Sequence, residues 1–333
     1  MKQVVIGGGS WGTALASVLA QTEETLLWAR DQDVVNGINT EHRNIKYQSD
    51  LTLPRLLRAT NSLKEAVSNA NLVILVVPSH VMRTIISECV PWLKPGTIIV
   101  SASKGIENES LMTMEEVLSE TLPRAFRGDL AFLSGPSFAR ETIEKQATAV
   151  TVAARFIDVA TEVQNRMNRS YFRIYTSEDV TGVELGGALK NVIAIASGVA
   201  DGLGLGHNSR AALITRGVAE ITRLAVKMGA NPLTLSGLAG MGDLILTCTG
   251  GLSRNRRVGV ELGKGRRLEE IIGEMNEVAE GVKTSKSVYD LSLREQVDMP
   301  ITHEVYKMLY QGKSPIVTLR DLMGRNPKGE RDY

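Results

Sequence analysis

Two lysines, an aspartate and an arginine carry most of the chemistry open to this 333-residue chain. Lys190 lies in Gly186-Gly187-Ala188-Leu189-Lys190-Asn191-Val192-Ile193-Ala194-Ile195. The run reads as a helix capped by Ser177, and each internal glycine costs roughly 1 kcal/mol relative to alanine. Such a cost implies that another segment approaches closely there. Apolar neighbours on every side keep bulk water from the ammonium, which lowers a lysine pKa and suits it to give and take protons. The competing reading is a lysine that snorkels out of the helix face; Asn191 and the paired glycines favour function. Lys104 ends a buried strand and, taken alone, fits an ordinary loop as well as a site. In Gly240-Met241-Gly242-Asp243-Leu244-Ile245-Leu246-Thr247-Cys248-Thr249, Asp243 and Thr247 fall on one face if the segment is helical. Ser253 then has the character of an N-cap, so Arg254 and Asn255 open a helix, where an arginine makes a natural phosphate seat. Arg256 and Arg257 read as a solvated basic turn. These residues equip the chain for proton transfer beside a bound phosphate.

The elements that position them begin at residue 4. Val4-Val5-Ile6 runs into Gly7-Gly8-Gly9-Ser10-Trp11-Gly12, and an amphipathic helix follows from Thr13 to Ala20. This is G-x-G-x-x-G between a strand and a helix, the setting in which it cradles a dinucleotide pyrophosphate. Gly7 permits the turn, Gly9 lets the backbone approach the phosphates, and Gly12 lets helix and strand pack closely. Amide groups and the helix dipole favour the negative charge. After the second strand come Ala29, Arg30 and Asp31; Arg30 favours a 2′-phosphate, hence NADP or mixed use, while Asp31 can cap the next helix.

Strands are expected at 2–6, 25–28, 72–77, 97–102, 130–134, 147–153 and 171–175, with helices at 11–20, 62–69, 80–90, 109–121 and 156–168. Several strands are continuous apolar runs, as in parallel sheets covered on both faces. The pattern is α/β, a Rossmann-like doubly wound sheet over 1–176, then an all-helical domain over 177–324 and a polar tail over 325–333. Polar punctuation recurs where five of the strands end: Gly7 to Gly12, Ala29-Arg30-Asp31, Pro78-Ser79-His80, Ser103-Lys104-Gly105 and Ser134-Gly135-Pro136-Ser137. Open parallel sheets bind ligands at those ends, so the five define one crevice.

Composition narrows the partners. Apolar residues make up 43% and charged residues 23%, the proportions of a soluble globular protein, and the net charge of +1 argues against a broad nucleic-acid or membrane surface. The chain starts directly in its first strand, and its longest apolar runs are too short to span a bilayer. Cys89 and Cys248 lie far apart, which fits a reduced cytoplasmic setting. His42, His80, His207 and His303 share no ligand spacing, so no metal site is assigned.

The motifs resemble one family over essentially the whole chain. Gly9-Ser10-Trp11-Gly12-Thr13-Ala14-Leu15-Ala16, Val77-Pro78-Ser79-His80, Ser103-Lys104-Gly105-Ile106-Glu107, Ser134-Gly135-Pro136-Ser137-Phe138-Ala139, Glu184-Leu185-Gly186-Gly187-Ala188-Leu189-Lys190-Asn191, Leu238-Ala239-Gly240-Met241-Gly242-Asp243-Leu244 and Ser253-Arg254-Asn255 are similar to those of bacterial NAD(P)-dependent glycerol-3-phosphate dehydrogenases. The resemblance implies reversible reduction of dihydroxyacetone phosphate to sn-glycerol 3-phosphate, for phospholipid synthesis, by a protein that commonly forms homodimers. It implies Ser10, Trp11, Arg30, Lys104, Ala139, Arg254, Val278 and Glu280 at the cofactor. Around the substrate it implies Lys104, Gly135, Ser137, Lys190, Asp243, Ser253, Arg254 and Asn255, with Lys190 as acid/base; Asn191 and Thr247 stand beside this set. Two segments depart from the family pattern, Gln21-Thr22-Glu23-Glu24-Thr25 and Tyr47-Gln48-Ser49, both away from the chemistry. A hydroxy-acid dehydrogenase of the 3-hydroxyisobutyrate or 6-phosphogluconate type shares the broad layout. The phosphate seat at 253–255 separates it from a bare-acid enzyme, less sharply from a sugar-acid phosphate enzyme. A non-catalytic dinucleotide sensor has no reason to keep Lys104, Lys190 and Asp243 together.

Overall fold

The computed structural model describes residues 1–275, 279–327 and 329–330, and the chain divides into two compact units. The first comprises residues 1–104 and 112–184; the second comprises 105–111 and the chain from Leu185 onward.

The first unit is built on an eight-stranded sheet: β1 (Gln3–Ile6), β2 (Thr25–Trp28), β3 (Leu57–Thr60), β4 (Leu72–Leu75), β5 (Ile98–Ser101), β6 (Leu130–Ser134), β7 (Thr148–Ala153) and β8 (Phe172–Ser177). Its order is β3-β2-β1-β4-β5-β6-β7-β8. Every neighbouring pair is parallel except β6–β7. In β1, Val4 stands level with Leu26 on one side and Val73 on the other. The chain winds outward from β1 to β3 and then returns to β4, so the strand order reverses between β1 and β4. That reversal opens the crevice in which doubly wound folds bind nucleotides. Strands β1, β4, β5 and β6 are buried along their whole length, which explains their unbroken apolar runs.

Three local features differ from the sequence expectation. The edge strand β3 was not anticipated, because Leu57-Arg58-Ala59-Thr60 is short and exposes a charged residue, as edge strands do. The helix Gln32–Glu41 also went unread beyond its cap; its Asn and Gly residues weaken the helical pattern, though Asp31 does accept the Asp33 amide. The helix expected at 109–121 starts only at Met114, where Thr113 and Glu116 form a reciprocal capping box.

The helices of the second unit include His207–Lys227, Asp243–Thr249, Arg254–Gly263, Glu280–Arg294, Pro300–Gln311 and Pro315–Met323, with the long helix Val180–Gly202 contributing its residues from Leu185. Leu189, Val192, Ile193, Leu224, Leu244, Val258, Val288 and Leu291 fill its core. The 180–202 helix is long and apolar enough to cross a membrane, but 94% of its most apolar window is buried within the protein. Its start corrects the sequence reading. Asp179, not Ser177, takes the Gly182 amide at 2.8 Å, while Ser177, two residues earlier, accepts the Asp179 amide.

Candidate active site

The glycine-rich turn of the first unit is shaped for a phosphate. Gly7 has φ of +130°, and a Cβ there would meet the backbone of Val76. A Cβ on Gly12 would overlap the Gly7 carbonyl, so the helix Ser10–Leu19 can start this close to β1 only with glycine. Gly9 is different: nothing lies within 4 Å of where its Cβ would be, which leaves its backbone open to a ligand. Beside it, the buried Trp11 Nε1 has no hydrogen-bond partner. A buried N–H donor without an acceptor is costly, and an anionic or ribose oxygen would satisfy it. These features fit a dinucleotide.

The rim of this cradle carries charge. Arg30 is exposed just past β2. Asp31 pairs with Lys46 at 2.8 Å, and that contact holds its carboxyl below the usual range. The loop bearing Lys46 is pinned by Asn44, a residue that sequence reasoning passed over. Its buried amide donates to the Gly8 carbonyl at 2.9 Å and to Thr13 Oγ1 at 2.7 Å, and its oxygen accepts the amides of Lys46 and Tyr47. No sequence pattern near 44 announces a contact thirty-six residues away. Ala139 starts the short helix Ala139–Ile143. Near the sheet's carboxyl edge, Lys104 Nζ donates to the Gly135 carbonyl at 3.1 Å, and Ser137 Oγ donates to the same oxygen at 3.0 Å. Two segments read separately from the sequence, at 103–105 and 134–137, thus meet at one carbonyl.

The second unit gathers another set. Lys190 is 6% exposed and Asp243 1%. The lysine ammonium donates to the Asp243 carboxylate and, at 2.9 Å, to Thr247 Oγ1. Asp243 and Thr247 do share a face, one turn apart on Asp243–Thr249. The carboxylate favours the charged ammonium and so opposes the desolvation read from the sequence. Gly186 explains part of the helix cost: a Cβ there would lie 2.6 Å from the Ala239 carbonyl and 3.2 Å from Gly240 Cα, in the irregular turn that leads into Asp243. A bulkier residue would push Asp243 away from the lysine helix.

Asn191 ties this pair to the next helix. Its Oδ1 accepts from Asn255 Nδ2 at 2.9 Å, and Asn255 Oδ1 accepts the Gly281 amide at 3.0 Å. Ser253 caps the helix Arg254–Gly263 by accepting the Arg256 amide, as its position suggested, and Arg254 stands exposed at the first turn. Arg256 is not a solvated arginine: it is ion-paired with Asp201 at 2.7 Å. Glu280 opens the helix Glu280–Arg294, whereas Val278 lies outside the described residues. Cys248 is wholly buried, and burial pushes its thiol up to about 12, so it packs rather than reacts. The arrangement can hold a charged amine in a dry place, orient it with a carboxylate and a hydroxyl, and present an arginine at a helix N-terminus to an anion.

Comparison with known proteins identifies the family that the chain resembles. Residues 2–160 match the NAD-dependent glycerol-3-phosphate dehydrogenase N-terminus, and residues 179–320 match the C-terminus of the same family. The chain is 55% identical over 331 residues to glycerol-3-phosphate dehydrogenase [NAD(P)+] of Myxococcus xanthus, covering 99% of each chain. It is 52% identical to the enzyme of that name from Geobacter metallireducens, covering 98% of each. The crystal structure of glycerol-3-phosphate dehydrogenase from Coxiella burnetii superimposes with a TM-score of 0.92 at 36% identity, over 97% of this chain and 99% of that one.

Proposed function

The chain belongs to the NAD-dependent glycerol-3-phosphate dehydrogenase family, and on that premise we propose the roles of its residues in NAD(P)H-dependent reduction of dihydroxyacetone phosphate to sn-glycerol 3-phosphate. The observation that carries the proposal is the buried Lys190 ammonium, held by Asp243 and Thr247 and flanked by the Asn191–Asn255 tie.

The bound nicotinamide supplies the hydride. Gly7, Gly9 and Gly12, with the Trp11 indole N–H, hold the dinucleotide, and Ser10, Arg30, Ala139, Arg254, Val278 and Glu280 complete its binding set. Arg30 favours the 2′-phosphate of NADP while leaving NAD usable. Lys190 gives its proton to the oxygen at C2 as the ketone becomes an alkoxide, and its charge stabilises that oxygen before the proton moves. Asp243 and Thr247 fix the direction in which the ammonium points. Lys104, held at the Gly135 carbonyl beside Ser137, steadies the carbonyl or hydroxyl of the substrate. Ser253, Arg254 and Asn255 grip the phosphate at a helix start, and that remote binding fixes C2 for reaction. We assign residues 1–176 to cofactor binding and 177–324 to substrate binding and homodimer formation, and place the enzyme in the cytoplasm, where its product enters phospholipid synthesis.

The test follows nicotinamide absorbance with dihydroxyacetone phosphate, unphosphorylated dihydroxyacetone and a panel of ketoacids. Arg254→Ala should lower the ratio of kcat/KM for the phosphorylated over the unphosphorylated ketone by about 10- to 100-fold, the worth of a charge-assisted contact. NADPH affinity is measured separately, because the same arginine serves the cofactor. Equal losses for both ketones at saturating cofactor refute the phosphate role.

A further inference from the structure

The helix that carries Lys190 and the helix that opens with Arg254 run side by side in the second unit, backbone against backbone. A Cβ on Gly198 would lie 2.9 Å from Gly259 Cα, and one on Gly202 would lie 2.9 Å from Gly263 Cα. The two helices are therefore parallel, with Gly198 level with Gly259 and Gly202 with Gly263. At 1.5 Å rise per residue, this register sets Arg254 within about 5 Å, along the helix axis, of the level of Lys190. Glycine contacts hold backbones close, but they carry no side chains to oppose sliding. Both helices repeat glycine every fourth residue, so a slip that brings Gly202 opposite Gly259 keeps a close contact. It also moves Arg254 by about 6 Å, one turn, relative to Lys190.

Beside the apolar packing of the two helices, two polar ties hold this register. One is Asn191–Asn255, within the site already described. The other lies outside it. Asp201, at the end of the lysine helix, receives Arg256 Nε at 2.8 Å and Arg256 Nη2 at 2.7 Å on one oxygen, and Arg210 Nε at 3.0 Å on the other. The Asp201 side chain is only 9% exposed, and those of Arg256 and Arg210 are 23% and 26% exposed. Arg256 follows Asn255 directly, and its amide is the one that Ser253 caps. The carboxylate thus fixes the very turn that presents Ser253, Arg254 and Asn255.

We propose that Asp201, acting through Arg256, is a positioning residue that sets the substrate-phosphate grip at the working distance from Lys190. The proposal rests on the phosphate role assigned above to Arg254. Asp201 lies outside the residues assigned above to substrate and cofactor, and its side chain pairs with Arg256 and Arg210. Its effect falls on substrates that use the phosphate, whereas a merely structural contact would affect all ketones alike.

The experiment compares Asp201→Asn, Asp201→Glu, Arg256→Lys and Arg254→Ala in the full-length enzyme at saturating NADPH. The readout is the ratio of kcat/KM for dihydroxyacetone phosphate over unphosphorylated dihydroxyacetone. We expect Asp201→Asn to lower that ratio about 10-fold or more, and Asp201→Glu, which keeps the charge, to recover most of the loss. Arg256→Lys, which loses the two-pronged contact, should lower it in the same direction and carries the test if Asp201→Asn does not fold. An unchanged ratio in Asp201→Asn and Arg256→Lys, or equal ratios in the Asn and Glu variants, overturns the positioning role provided Arg254→Ala lowers the ratio. If Arg254→Ala leaves the ratio unchanged, the phosphate assignment fails first and the role of Asp201 falls with it.

Discussion

Replacing Lys190 by Met tests the buried ion pair before it tests any chemistry. Methionine keeps the apolar stem of the lysine and lacks only its terminal nitrogen position, so it leaves little cavity. It does leave Asp243, 1% exposed, without its cation. Breaking a buried pair from one side costs about 3–5 kcal/mol, because the remaining charge is uncompensated. Thr247 offsets little of the loss: its hydroxyl donates to the Asp243 backbone carbonyl at 2.6 Å and lies 3.4 Å from the carboxylate oxygen. We therefore expect Lys190→Met to destabilise the helical unit by about 3–5 kcal/mol, and Lys190→Met/Asp243→Asn to destabilise it by only about 1–2 kcal/mol, since no buried charge remains. The two substitutions should then couple by more than about 2 kcal/mol in a double-mutant cycle. Urea denaturation, followed by far-ultraviolet circular dichroism with the slopes compared, measures it. A loss below about 1 kcal/mol in Lys190→Met, with no rescue by Asp243→Asn, would refute the view of Lys190 as a desolvated, carboxylate-held ammonium.

Two further outcomes follow from other sites. Arg30→Asp should raise the Kd for NADPH about 10- to 100-fold and that for NADH far less, measured by calorimetry; equal changes would make Arg30 an ordinary surface residue. Glu220 is buried on the helix His207–Lys227, where burial pushes its carboxyl up to about 7 although it accepts the amides of Ile301 and Thr302. The folded state then keeps a proton that the unfolded chain releases above its ordinary value of 4.5, so stability is fullest below that value and falls as pH rises toward 7. The Glu220 share of that fall is on the order of 3 kcal/mol, and urea midpoints across this window should flatten in Glu220→Gln; identical pH profiles for the two proteins would remove Glu220 as the source.

What could be read from the sequence was whatever repeats locally. The apolar runs of β1, β4, β5 and β6 mark buried parallel strands, and Gly7, Gly9 and Gly12 mark the turn between β1 and its helix. Ser253 was legible as a cap because a cap depends only on residues within one turn, and the shared face of Asp243 and Thr247 follows from helical spacing. Strand β3 and the Gln32–Glu41 helix escaped because each is polar, short or glycine-bearing, and forms through packing on the sheet rather than through its own pattern. The Asn44 bridge and the Asp201–Arg256 pair escaped for another reason. They join residues 31 to 55 positions apart, and single-sequence spacing carries no information on which distant partners meet. The opposite misreading, Arg256 as solvated, came from the same gap, since two adjacent arginines, Arg256 and Arg257, look like a water-facing turn until a carboxylate is found beside one.

The most direct test of the account is the rate of the chemical step without the Lys190 amine. In the Lys190→Met/Asp243→Asn protein, chosen so that folding is retained, single-turnover reduction of dihydroxyacetone phosphate is followed by NADPH absorbance at saturating cofactor. The account predicts a rate lowered by about 10³-fold or more, because both the proton donor and the charge that stabilises the alkoxide are gone. It also predicts that the NADPH dissociation constant, read by fluorescence, changes less than about twofold, since neither Lys190 nor Asp243 belongs to the set assigned to the cofactor. A rate above about one tenth of that of the unaltered enzyme would contradict Lys190 as the proton donor and turn attention to Lys104.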